Sequence, residues 1–334
     1  MKHLLAALVI LSPLSLVAGG DAPNHPTGTA GLFMVDKLGG HIRFFDPATM
    51  QERSNLKLPA NPHDFVFSPD HTLAYVPIYG PGVYGRNPDP QHHLYVLDLA
   101  KRAVAKVIDL SPYRSPHGIQ IAPDGTVYVT AELDRKIVHV DPVRGRVIEA
   151  IDTEGSAHWM AILPDGSKMY VANKDDRLFV SVVDLKTKQI VARVPMAKGT
   201  QGIAASPDGK AVIAMDLAAP VMTVIDPKTD QVTDRITLQG QSDPAYKAYY
   251  SPDGKWLLTM AGAMITIFDA SNLKGLQRVL KVGAFPMGIG FSADGNTAVV
   301  ANHGDGTVSV LDLPTARVTR TFKAGTGIET LGYY

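Results

Sequence analysis

The 334-residue chain has no cysteine. That excludes disulfides, thiolate nucleophiles, cysteine zinc sites, a lipid-modified cysteine and covalent haem attachment. It also has no net charge, with 32 basic against 32 acidic side chains. No broad field therefore draws it to nucleic acid or an anionic membrane, and no nucleic-acid partner is expected. It lacks a phosphate-cradling glycine-rich loop, a His-Glu-x-x-His pair and a Gly-x-Ser-x-Gly elbow. Only Leu4–Val17 is a long apolar run, and it is too short to span a bilayer comfortably. Lys2 and His3 precede it and the small residues Ala18-Gly19-Gly20 follow, which predicts an export signal over residues 1–20. The expected mature protein, 21–334, is periplasmic or secreted, with no membrane span once the signal is removed.

What is present is a repeat. An apolar strand ending in Asp recurs at Asp46, Asp98, Asp141, Asp184, Asp226, Asp269 and Asp312, in steps of 52, 43, 43, 42, 43 and 43 residues. A tight turn recurs beside it: Ser68-Pro69-Asp70-His71, Ala122-Pro123-Asp124-Gly125, Leu163-Pro164-Asp165-Gly166, Ser206-Pro207-Asp208-Gly209, Ser251-Pro252-Asp253-Gly254 and Ser292-Ala293-Asp294-Gly295. Proline presets φ at the second position, and glycine accepts the positive φ that closes the turn. Each turn joins two short apolar runs, so each marks a hairpin. In the third unit the strands read Gly118–Ile121, Val127–Val129, Ile137–Val140 and Arg146–Ile151. Apolar residues fall on both strand faces, which suits sheets stacked face to face.

Seven Asp-ended strands but six turns are explained by closure. The first unit begins at its second strand, Leu32–Val35, and the chain ends in an unpartnered strand, Glu329–Tyr334. Joining the two removes open sheet edges. The fold predicted is all-β: a seven-bladed β-propeller with four antiparallel strands per blade, closed by the C-terminal strand completing the N-terminal blade. The long first step is an insertion, 78–92, in the second blade.

The units Tyr128-Val129-Thr130-Ala131, Tyr170-Val171-Ala172-Asn173 and Val300-Ala301-Asn302, each followed by an Asp-ended strand, resemble the YVTN repeat. The fullest copy runs from Gly288 to Asp312, and the resemblance extends over nearly the whole mature chain. It implies a propeller of the YncE-like or lactonase-like periplasmic kind. It does not fix a chemistry, because a fold of this sort hosts surface-layer, quinoprotein-associated, haem-associated and lactonase-like proteins.

Strand direction maps one end of the propeller. Counting back seven residues from each turn Asp gives His63, His117, His158, Gln201, Tyr246 and Met287, and aligning the last unit adds Glu329. These seven are expected to ring one mouth of the central channel. Three imidazoles from successive blades, flanked by Gln201 and Glu329, suit a divalent transition metal: Zn, Mn, Fe or Cu. His117, His158 and Glu329 are the candidates for proton transfer in a metal-assisted lyase or hydrolase acting on a small polar ester, lactone or sugar acid. Trp159 beside His158, and Tyr79 and Arg86 in the insertion, are candidate ligand contacts, the insertion acting as a lid. Asn173 and Asn302 are expected to satisfy backbone groups, and Glu132 and Asp216 to be acceptors for imidazole N–H groups or solvated loop charges. Two other readings stay open. In one, noncovalent haem sits at the mouth with Tyr246 or Met287 across the ring, in a haem- or quinone-linked redox accessory protein. In the other, the propeller is a scaffold for a periplasmic protein partner and has no chemistry.

Overall fold

A computed structural model describes residues 30–174 and 177–334; the proposed signal at 1–20 lies outside them. The described residues form seven four-stranded antiparallel sheets. The third blade runs Pro116–Ile121, Val127–Ala131, Lys136–Asp141 and Arg146–Asp152, within a residue or two of the sequence reading. Among the described residues the only helical element is a single 3-10 turn, Glu132–Asp134. No helix there is long and apolar enough to cross a membrane.

Each blade follows from its own residues. The three inner strands are apolar on both faces and bury both: Val127–Ala131 and Pro286–Phe291 are buried throughout. The outermost strand alternates charged and apolar residues and is largely exposed, as in Gln231–Thr237. In the hairpin turns the Asp side chain accepts the backbone N–H two residues on, as in Thr126 to Asp124 at 2.9 Å and Ser167 to Asp165 at 2.9 Å.

Closure occurs as the strand count requires. Ile328–Tyr333 pairs antiparallel with Leu32–Asp36 and becomes the innermost strand of the first blade. Backbone bonds fasten the last residue to the first described ones: Ala30 N–H to Tyr334 O at 2.7 Å and Tyr334 N–H to Gly31 O at 3.0 Å. The Tyr334 ring then packs between Phe44 and Phe67, 6.2 and 6.0 Å away.

One irregularity of the innermost strands matters for the site. In blade 3 Pro116 pairs with Ala131 and Ile119 with Val129, leaving His117 and Gly118 opposite Thr130 alone. The same shift occurs between Ala157 and Met160, Thr200 and Ile203, Ala245 and Lys247, and Pro286 and Gly288. In blade 1 it falls where Glu329 is unpaired, between the partners of Val35 and Asp36. These are β-bulges, which re-aim the side chains they carry.

A candidate metal and ligand site at the channel mouth

The bulges explain why the mouth positions are special. His117, His158, Gln201, Tyr246, Met287 and Glu329 all lie within them. His63 is held differently, by its N–H to Pro77 O at 3.2 Å, beside a Pro62–Ile78 bridge. The backbone under His158 is fixed from the neighbouring blade, because the Thr130 hydroxyl donates to His158 O at 2.9 Å while accepting the Gly118 N–H at 2.8 Å.

The three imidazoles converge. Ring centroids are 3.8 Å apart for His63 and His117, and 4.1 Å for His117 and His158. All three residues are buried, and each leaves its Nδ1 without a hydrogen-bond partner among the described residues. Burial is the main reason that each is held well below the ordinary histidine range; for His63 and His158 the nearby His117 adds to it, and for His117 the Lys37 charge does. The imidazoles are therefore neutral at neutral pH, the form that binds a metal.

Glu132 supplies a carboxylate. It opens the 3-10 turn, which Arg114 pins through Nη2 to Asp134 at 2.7 Å. Donor atoms of His117, Glu132 and His158 all lie within 4.8 Å of one another. Two imidazoles and one carboxylate suit Zn, Fe, Mn or Cu. Burial pushes the Glu132 carboxyl up; the Gly85 N–H, 2.7 Å away, and the Tyr79 hydroxyl, at 3.1 and 3.2 Å, pull it back. Tyr79 and Gly85 both belong to the 78–92 insertion, so that loop is tied to the site through the carboxylate. Tyr84 of the same loop stands edge-on to His158 at 5.2 Å.

Glu329 lies on the far side of His63, 3.7 Å from its Nε2 and 2.9 Å from His303 Nδ1. Burial alone would raise its pKa, but Lys37, His303 and Lys247 outweigh it and hold the carboxyl at about 2. Glu329 thus neighbours the imidazole row at His63, whereas the carboxylate grouped with His117 and His158 is Glu132. Gln201 follows His158 around the mouth and is half-buried. Tyr246 and Met287 are engaged in packing. The Tyr246 hydroxyl donates to Pro286 O at 2.7 Å and Gly262 O at 3.0 Å, and both residues sit in the main hydrophobic cluster. Arg86 is exposed, and its backbone closes a tight turn with Val83. Asn173 and Asn302 cross-link their own blades, through Ser181 at 3.0 Å and Ser309 at 2.9 Å.

Below the mouth, Asp64, Trp159, Lys247 and Thr330, each following a ring position, line a cavity. Gly118, Gly202 and Gly288 have no room for a Cβ against the neighbouring backbone. The space is taken by Trp159 and Lys247. The Lys247 ammonium lies 3.7 Å from the indole ring centre and donates to Met287 O at 2.6 Å, while the indole N–H donates to Asp64 at 3.2 Å. Burial draws the Lys247 pKa down to about 8. The cavity, of about 80 Å³, lies beneath this plug and is lined in part by Gln120, Tyr249 and Thr330. The sequence reading missed Lys247. Its signal was available, since Lys247 follows Tyr246 as Trp159 follows His158, and a bulge turns two successive residues inward.

Fold and site together define a closed seven-bladed propeller with a histidine-lined mouth. Residues 159–281 match the family model of the YNCE-like beta-propeller, in line with the YVTN resemblance of the repeats. No curated protein matches the chain. Among solved structures the chain is similar to one titled Kuenenia stuttgartiensis Hydrazine Synthase, at 20% identity, over 92% of this chain and 99% of that one, with a TM-score of 0.73. Identity at that level establishes the fold alone. The family match begins at Trp159, so His63, His117, Glu132 and His158 all lie outside it.

Proposed function

We propose that this chain is an exported propeller whose mouth holds a divalent transition metal on His117, His158 and Glu132, with His63 alongside, and receives a small ligand there. The observation that carries the reading is the row of three buried, neutral imidazoles with unpartnered Nδ1 atoms, two of which, His117 and His158, are grouped with the Glu132 carboxylate. Buried polar atoms without partners are costly, and coordination to a cation removes that cost. When bound, the metal would supply Lewis acidity toward a carbonyl or a water. The chain's own residues supply the rest: Tyr79 and the Gly85 N–H orient Glu132, and the insertion shields the site from water. His63, in contact range of the ionised Glu329, is placed to carry a proton. The reaction class that this supports is a lyase or hydrolase acting on a small polar ester, lactone or sugar acid. Export rests on the Leu4–Val17 run and the small residues after it.

Metal analysis tests the reading. Protein purified without chelators should hold about one equivalent of a single transition metal. Loss of supporting partners around a site costs 10–100-fold in metal affinity, so His117→Ala and Glu132→Gln, which remove ligands, should each weaken binding by at least about 100-fold. A folded wild-type protein that takes up none of Zn, Mn, Fe or Cu would sink it.

A further inference from the structure

A second tier of side chains lies above the imidazole row, formed by the residue that follows the second strand of each blade. Blades 1 to 4 place Lys37, Tyr79, Glu132 and Lys174 there and blade 7 places His303, whereas blades 5 and 6 place Leu217 and Gly262. The mouth is therefore polar on one side and apolar on the other.

On the polar side two lysine–tyrosine pairs bracket the imidazoles. The Lys37 ammonium lies 5.4 Å from the Tyr79 ring centre, and that ring lies 5.3 Å from His63 and 5.5 Å from His117. The Lys174 ammonium lies 4.4 Å from the Tyr84 ring centre, and Tyr84 abuts His158. Lys37 is more than nine-tenths buried, and the carboxylates that balance its charge, Glu329 and Glu132, act on it at longer range than a direct salt bridge. An anion arriving at the mouth would give this ammonium a partner in direct hydrogen-bond contact, which is stronger than attraction at longer range. Lys37 through Tyr79, and Lys174 through Tyr84, thus flank the imidazole row.

The opposite side carries an exposed ring. Phe285 is 54% exposed and has a φ of 48°. It stacks on Tyr246 at 5.8 Å and 23°, and meets His303 edge-on at 6.2 Å. Ser115, which also precedes the proline of an innermost strand, shares this backbone conformation with φ 51°, so the fold imposes it. What sets Phe285 apart is a large apolar side chain displayed at the mouth from a conformation that disfavours one.

We propose that the ligand of this mouth is a small organic carboxylate, its anionic group held by Lys37 and Lys174 and its apolar body laid against Phe285, which Tyr246 backs. The inference deepens the proposed function and rests on that reading for the metal beneath, but the lysine and phenylalanine contacts are testable without it. Benzoate, acetate and inorganic phosphate would be titrated by calorimetry into both metal-loaded and chelator-treated protein, with metal content measured on the same samples. Trp159, 4.8 Å from His117, gives a fluorescence readout of occupancy. Benzoate should bind at least several-fold more tightly than acetate. Lys37→Met and Lys174→Met should each weaken benzoate about tenfold, the scale of one lost hydrogen bond to a charged group, without changing metal content. Phe285→Ala should abolish the preference for benzoate over acetate. Absence of binding by all three anions, or benzoate binding indifferent to both lysine substitutions, would overturn the proposal. Phosphate bound more tightly than benzoate would also overturn it, in favour of a phosphate site. Failure to load metal, with these anion results intact, would refute only the metal reading.

Discussion

A chain lacking residues 328–334 should not fold cooperatively. Those residues supply the innermost strand of the first blade and bury Ile328, Leu331, Tyr333 and Tyr334. Four large side chains at about 1.5–3 kcal/mol each already match the roughly 5–15 kcal/mol that holds a domain together. The deletion also bares the Leu32–Asp36 edge and the apolar side chains that it buries. Circular dichroism with thermal or urea melting should show no sharp transition and strong aggregation. The counter-experiment is a circular permutant. Tyr334 is hydrogen-bonded to Ala30 and Gly31, just where the seventh Pro-Asp-Gly hairpin would stand. Joining Tyr334 to Gly31 through Ser-Pro-Asp-Gly, with new ends opened near Gly325, should restore a folded protein that melts within a few degrees of the parent. A truncated chain that melts as sharply as the full one would refute this account of closure.

That experiment turns on a feature visible in the sequence. Seven Asp-ended strands against six turns demanded a blade assembled from both chain ends, and Ile328–Tyr333 pairs where that count placed it. The repeat was legible because every blade obeys the same local rules of turn chemistry and apolar strands. The mouth was legible for a related reason. A fixed offset from each turn marks the same structural position in every blade, so His63, His117 and His158 could be grouped without coordinates. Their separation could not be read, because it depends on bulges that follow from inter-strand register. The carboxylate was harder still. Glu132 and Glu329 both read as acidic groups near the mouth, and only the 3-10 turn at Glu132–Asp134 decides which is grouped with His117 and His158. The insertion was legible as a lid-sized segment, but not in detail: Tyr79 is fully buried and Tyr84 meets His158, while Arg86 points to solvent.

The buried imidazoles carry a consequence for acid stability. His63, His117 and His158 have native pKa values well below the 6.5 expected in an unfolded chain. Below pH 6.5 the unfolded chain therefore binds up to three protons that the native protein does not. The stability contributed by these groups is fully present above pH 6.5 and is lost as pH falls toward their native values. Three protons correspond to a slope of at most about 4 kcal/mol per pH unit, and the buried carboxyls of Asp64 and Glu132, which burial pushes up, oppose it by taking up protons in the native protein. Glu329 acts in the same direction lower down: held at about 2 against an ordinary 4.5, it adds stability that disappears as pH falls through that window. With domain stabilities of roughly 5–15 kcal/mol, the metal-free protein should lose its fold within about two to three pH units below 7. A bound metal should delay that loss, since it competes with protons for the same nitrogens. Urea melts of chelator-treated protein from pH 8 to pH 5 would measure the slope. His63→Asn, which removes one of the three groups, should cut it by about a third while leaving the His117–Glu132–His158 set in place. A stability that stays flat between pH 7 and pH 5 would mean that the imidazoles are hydrated and charged, and both the neutral ligand row and the metal site built on it would then have to be abandoned.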